Sequence, residues 1–348
     1  MQHPFRQLML FRIRSFYREP AAVFWTYGFP LILTVSLGIA FRNKPVEKIR
    51  VDIEDGPTAQ AIRDALTGVD EEGAFEVAVQ SPKDCKERLR LGRASVVVVS
   101  GGEAGTYIYR YDPTRPESTS ARHRVDDALQ RAAGRADPVA VRDETVSEPG
   151  SRYIDFLVPG LLGMNLLGSG LWGVGFVIVD LRVRKLLKRF VATPMRRSHF
   201  LGAVIGGRML FIVPEMIIIL MVGVWIFGIP VRGSWIAIGV VALVGGVCFA
   251  GIGLLVACRA QRTETVAGLM NMVMLPMWLL SGIFFSTENF PDALQPVVRA
   301  LPLTHLNEAL RAVILEGAPL SSQWLRLVVL LAFAVVSFTL ALKWFRWV

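Results

Sequence analysis

Cysteine and histidine are scarce in this chain, three and four residues in 348. Cys85 stands alone in its region, and Cys248 and Cys258 share one apolar run, so no disulfide framework holds the polar part together. Two readings of Cys85 remain, a buried free thiol or a bridge between two copies. No His, Cys, Asp or Glu set has metal-ligand spacing, and no nucleophile stands at a recognisable spacing from a base. The pattern G-x-x-x-x-G-K-[ST] is absent, so this chain is not expected to supply ATP hydrolysis itself. The most informative absence is that of charge, which is missing from several stretches long enough to matter.

Hydrophobic residues make up 53% of the chain and the mean hydropathy is +0.45, values of a membrane protein rather than a large soluble domain. The apolar runs are Ala21 to Phe41, Phe156 to Val179, Met209 to Val231, Gly233 to Cys258, Thr265 to Thr287 and Leu327 to Leu342. At about 1.5 Å per residue most can cross a hydrocarbon core of roughly 30 Å. The short last run is flanked by Trp324, Arg326, Lys343, Trp344 and Arg346, which suit the interfaces. Six spans predict both termini on one side.

The arginines and lysines predict which side. Arg6, Arg12, Arg14 and Arg18 precede the first run, and Arg182, Arg184, Lys185, Lys188, Arg189, Arg196, Arg197 and Arg208 lie between the second and third. Arg259, Arg262, Lys343 and Arg346 complete that face, whereas the short loops opposite hold only Arg232, Arg299, Arg311 and Arg326. The excess orients both termini to the cytoplasm. The insertion from Arg42 to Arg152 is slightly acidic, so the net charge of +9 belongs to the membrane part. A nucleic-acid partner is excluded, because the cations form flanks rather than a groove.

The segment from Met1 to Arg18 does not read as a cleaved signal peptide. Phe5, Leu8, Met9, Ile13 and Phe16 share a helical face with Arg12 intruding, which predicts a helix in the interface before Pro20. Residues 42–152 alternate strand-like and helix-like patterns. Strands are expected at 49–53, 75–79, 96–99, 106–111 and 139–146, with helical spacing at 61–66, 85–91 and 122–133. This predicts one small α+β domain, a lid or docking surface rather than an enzyme.

Two stretches carry more specific information. After Glu288 the chain interleaves charges with apolar residues and is broken by Pro291, Pro296 and Pro302, too polar for lipid and too apolar for a loop. A pair of short helices dipping into the outer interface, over 288–322, satisfies both constraints. The loop 180–208 places Leu186, Leu187, Phe190 and Val191 on one helical stripe away from Arg184, Lys185, Lys188 and Arg189, ahead of Pro194. That stripe fits a cleft on a partner; alternatively the basic loop rests on anionic headgroups.

The first of these stretches, with Ser281 and Gly282 after Pro276, then Asn289, Phe290, Pro291 and Pro302, Leu303, Thr304, resembles the permease subunits of ABC-2 type exporters. The loop resembles their coupling helix, with Thr193, Pro194 and Met195 matching the small-residue and proline stretch. The Gly-Thr pair that many relatives carry earlier in this loop is absent. The order of the 42–152 insertion resembles the extracytoplasmic domain of the longer permeases.

The resemblance implies an α-helical integral membrane protein with six transmembrane helices, an N-terminal interfacial helix and a re-entrant segment before the last span. The implied domains are 1–41, an inserted extracytoplasmic α+β domain at 42–152, and a five-span domain at 153–348. It implies export of a hydrophobic or amphipathic substrate, whether drug, lipid or lipid-linked molecule, by alternating access across a bacterial cytoplasmic membrane. The implied partners are a cytosolic ABC ATPase subunit carrying ATP and Mg, a second permease copy or homologue, and the bilayer; no cofactor is expected on this chain. The implied coupling residues are Arg184, Leu187, Phe190, Thr193, Pro194 and Met195. Pro276, Ser281, Gly282, His305 and Glu308 fall in the implied gate, where the spacing of His305 and Glu308 also allows them to bond each other. Asn165 and Asn271 line a path or cross-link helices, and Glu215 serves a cavity or pairs with Arg208, seven residues earlier on the same face. Gly163, Gly168, Gly170, Gly173 and Gly175 permit close helix approach, within the chain or between two copies. A receptor or scaffold that senses a ligand through residues 42–152 is the alternative.

Overall fold

Backbone N–H and C=O groups in hydrocarbon find partners only within their own segment, so an uncharged run of span length forms a helix. The computed structural model describes residues 10, 13–42, 48–69, 73–101, 106–135, 152–191 and 197–345. Among the described residues six helices are long and apolar enough to cross a membrane: span 1 (Pro20–Ala40), span 2 (Tyr153–Val183), span 3 (His199–Phe227), span 4 (Trp235–Ala257), span 5 (Thr263–Leu280) and span 6 (Leu320–Trp344). Two spans include π-helical turns, Phe24–Gly28 and Leu171–Phe176. The chain divides into two compact units, residues 44–145 and the remainder.

Two boundaries differ from those that hydropathy predicts. Span 5 stops at Leu280 rather than continuing to Thr287, because Gly282 adopts φ +69° and turns the chain back. Span 3 begins ten residues before Met209, because Arg208 is buried within it instead of ending it. Of the N-terminal face, Phe5, Leu8, Met9 and Arg12 lie outside the described residues. Its described part packs through Phe16, whose ring stacks on Phe211 of span 3 at 4.2 Å.

In the smaller unit the sheet order is β2-β1-β3-β4, built from β1 (Ile49–Glu54), β2 (Phe75–Gln80), β3 (Val96–Ser100) and β4 (Tyr107–Arg110). β1 is parallel to β2 and β3, and β4 runs antiparallel to β3. Ile49, Val51 and Ile53 share one face of β1 by strand alternation, and they pack on α1 (Ala59–Val69) and α3 (Pro116–Ala132) through Ile62, Leu66, Val125 and Leu129. Asp52 points the other way, where α2 (Pro82–Arg90) covers it and Arg88 binds it at 2.8 Å. The expected strand at 139–146 lies outside the described residues.

The membrane unit has one large apolar core, centred on spans 2 and 4 and on α6 (Pro302–Ile314), which follows α5 (Gln295–Ala300). A second cluster gathers the other ends of spans 2, 3, 4 and 6 around Leu187 of α4 (Leu186–Val191). The span 2 glycines serve packing within this chain. A Cβ at Gly170 would stand 2.5 Å from that of Phe249, one at Gly175 would stand 2.5 Å from the Gly253 carbonyl, and one at Gly163 would overlap Asn307.

Candidate functional site

Helix ends explain where the functional residues collect. The last carbonyls of a helix have no donor in their own helix, and in an apolar bundle something else must supply one. Three arginines do so here. Arg152 pairs with buried Asp155 at 2.9 Å and donates to the carbonyls of Phe227 and Gly228 at the end of span 3. Arg182, near the other end of span 2, donates to Ala257, Cys258 and Ala260 at the end of span 4. Arg311 of α6 donates to Gly282, just past the end of span 5, and to Phe156, whose ring lies 3.6 Å from its guanidinium carbon.

Around Arg311 the elements converge on the turn after span 5. Asn307 Nδ2 donates to the Ser281 carbonyl at 2.8 Å, while Asn307 Oδ1 and Ser281 Oγ are buried with no partner among the described residues. Thr304 closes the turn between α5 and α6 through the Val298 carbonyl at 2.7 Å. His305 and Glu308 do not bond each other as their spacing allowed. His305 Nε2 donates to the Arg299 carbonyl at 2.9 Å, and Glu308 takes Arg326 of span 6 at 3.1 Å. α6 is thereby tied to spans 2, 5 and 6, and most of its residues are buried.

In the bundle interior Glu215 accepts from Arg208 at 2.9 Å and from Ser169 of span 2 at 3.2 Å. Both ionic side chains are buried, at 2% and 7% exposure, so Glu215 faces its own chain and not an open cavity. Arg208 also fills the notch at Gly173, where a Cβ would stand 2.6 Å from its Cδ. Asn165 is half-buried, one helical turn before Ser169.

Span 5 is mostly uncovered. Asn271, Met272, Leu275, Pro276 and Leu279 are exposed, and nothing lies within 4 Å of a Cβ built on Gly268. Its inner side is tied to span 2 by Trp172, whose Nε1 donates to the Met274 sulfur at 3.2 Å. A cleft of about 560 Å³ opens between the ends of spans 4 and 5, lined by apolar residues such as Leu255, Leu269 and Met272 with Arg259 beside them.

Of the residues expected in the coupling loop, Arg184 is exposed and paired with Asp180 at 2.9 Å, while Leu187 is 1% exposed and packed inside the chain's own cluster. Phe190 is on α4. Thr193, Pro194 and Met195 lie outside the described residues. Among the described side chains of α4, the exposed ones are therefore Lys188 and Arg189 rather than Leu187. In the sequence Arg152, Arg182 and Arg311 stand only as charges. The available signal was their position, since Arg311 and Arg182 are cations next to or inside apolar runs.

The sequence pattern of the ABC-2 family transporter proteins matches residues 20–343. "ABC transporter G family member 20" of Dictyostelium discoideum is 26% identical over 213 residues, 60% of this chain and 29% of that protein. "Probable multidrug ABC transporter permease YbhR" of Escherichia coli (strain K12) is 25% identical over 201 residues, 57% of this chain and 54% of the relative. "Putative transport permease YvfS" of Bacillus subtilis (strain 168) is 25% identical over 183 residues, 52% of this chain and 73% of the relative. The alignments thus span about half or less of the length of the first two relatives.

Proposed function

The chain belongs to the ABC-2 family of transporter proteins, and from that premise we propose that it is the membrane-spanning permease subunit of an ATP-driven exporter. A separate cytosolic ATPase binds ATP and Mg and moves α4, and a second permease subunit faces span 5. The substrate is a hydrophobic or amphipathic molecule, carried from the cytoplasm or inner leaflet by alternating access.

The observation that carries this reading is the uncovered side of span 5. A helix packed only against lipid has no use for Asn271 or a bare Gly268 on its outer face, since an unpaired amide is costly in hydrocarbon. A second subunit placed there leaves Asn271, Met272 and Leu275 along a path at the seam, with half-buried Asn165 on neighbouring span 2. The adjoining cleft is apolar, which suits such substrates, and the word multidrug in the name of one relative agrees with them. At one end of the path, α6 with Ser281, Gly282, His305 and Glu308 forms a re-entrant outer gate; at the other, α4 receives the stroke. The excess of arginine and lysine in the loop 180–208 supports a cytoplasmic location for that second end and for both termini.

The test is copurification in mild detergent with candidate ATPases coexpressed, comparing wild type with Lys188→Glu plus Arg189→Glu. These side chains are exposed, so the double variant leaves the Leu187 core intact. An ATPase that comes down with wild type and not with an equally well inserted variant supports the exporter and the docking face together. If wild type brings down no nucleotide-binding partner, the receptor or scaffold reading takes its place.

A further inference from the structure

Span 4 ends in a turn, residues 258–262, that leads straight into span 5. Arg182 reaches this turn from span 2, donating to the carbonyls of Ala257 at 3.0 Å, Cys258 at 3.1 Å and also Ala260. The fork of a guanidinium suits several acceptors at once, as a single ammonium does not. The ring of Phe345, just past span 6, lies 5.4 Å from the Arg182 guanidinium, within cation–π range. Ala257, Cys258 and Ala260 are buried, so their carbonyls depend on this side chain for a donor.

The position of Arg182 gives the cap its meaning. It lies four residues before α4, and Asp180, two residues earlier, holds Arg184. Leu187 of α4 packs in one cluster with Ile178, Phe200, Leu254, Cys258 and Phe345. Cys258 of that cluster lies in the 258–262 turn, and Val179 of span 2 shares the larger core with Val266 and Met270 of span 5, so apolar packing also joins these parts. The bonds of Arg182 add the directional polar tie between the loop side of span 2 and the turn.

We infer that Arg182 is a positioning residue that fastens the turn between spans 4 and 5 to the 180–191 segment, so that displacement of α4 is delivered to the start of span 5. This rests on the transporter reading for the source of the displacement. The fastening itself is a property of this chain alone.

The test uses the full chain in lipid nanodiscs with spin labels at Lys188→Cys and Gln261→Cys, both exposed, the three native cysteines being buried. Wild type gives one narrow distance distribution, Arg182→Gln a broadened one, and Arg182→Lys an intermediate one. With the copurified ATPase, ATP and Mg added, the wild-type distribution of a second pair, Gln261→Cys with Trp235→Cys, shifts. Arg182→Gln then still hydrolyses ATP but loses that shift. A distribution in Arg182→Gln as narrow as in wild type overturns the fastening, whether or not an ATPase is present. A broadened distribution with an unchanged nucleotide-dependent shift overturns the delivery of motion. If Arg182→Gln is not recovered from the membrane, Arg182→Lys is judged by the same two criteria. Absence of any ATPase partner defeats the transporter reading and leaves the label-distance result standing.

Discussion

Glu215 shows how one residue changes meaning between sequence and structure. A carboxylate in an apolar run costs roughly 2.5 to 3.5 kcal/mol at mid-membrane unless paired, which invites a functional reading. Here Arg208 and Ser169 hold it, and removing only one member of a buried ion pair strands the other charge. Glu215→Ala should therefore destabilise the membrane unit by about 3 to 5 kcal/mol, and Arg208→Met combined with Glu215→Leu should recover most of it. Thermal unfolding in detergent, followed by tryptophan fluorescence, checks the order. A single variant as stable as wild type would mean that the pair contributes nothing.

At the scale of elements, span 2 and span 4 meet backbone to backbone. A Cβ on Gly253 would stand 2.8 Å from Leu171 Cα and one on Gly170 would stand 2.9 Å from the Ala250 nitrogen, atoms that cannot swing aside. Gly253→Ala and Gly170→Ala should each cost about 1 to 3 kcal/mol through overpacking. Gly268→Ala meets open space, and by helix propensity it should stabilise the chain by up to about 1 kcal/mol. Unfolding temperatures of the three variants in one detergent separate the cases. If Gly268→Ala instead leaves the monomer untouched but weakens self-association, the second-subunit seam at span 5 gains direct support.

At the scale of the whole molecule the chain is two units with separate cores, and residues 44–145 carry a complete one around Val51, Ile53, Leu66, Val96 and Val125. Produced alone, this unit should unfold cooperatively in urea. Burial pushes the Cys85 thiol up to about 11, the charges of Asp52 and Glu54 adding to the effect while Arg88 opposes it. The unfolded thiol titrates near its ordinary value of 9.0, so between those two pH values the unfolded state has lost a proton that the folded state keeps. Stability is then fully present below pH 9 and falls as pH rises toward 11. Cys85→Ala should flatten that decline, and a urea midpoint equally steep in both proteins would contradict it.

The sequence by itself determined the six spans and the small sheet domain, because uncharged length and strand alternation are local properties that lipid and a sheet core read directly. The charge asymmetry and the two unusual stretches also pointed to the family. Tertiary structure decided what each polar or small residue does. Hydropathy started span 3 only after Arg208, although a partner seven residues on lets that charge go inside, and it ran span 5 to Thr287, past the positive φ of Gly282. The stripe on α4 was legible, but not that Leu187 faces its own bundle, since an apolar side chain carries no mark of whose core it fills. Arg182 and Arg311 counted in the sequence only as charges on one side or the other. Their work as caps appears only when distant helix ends are brought within reach, because an unpaired carbonyl is created by where a helix stops and not by any residue type.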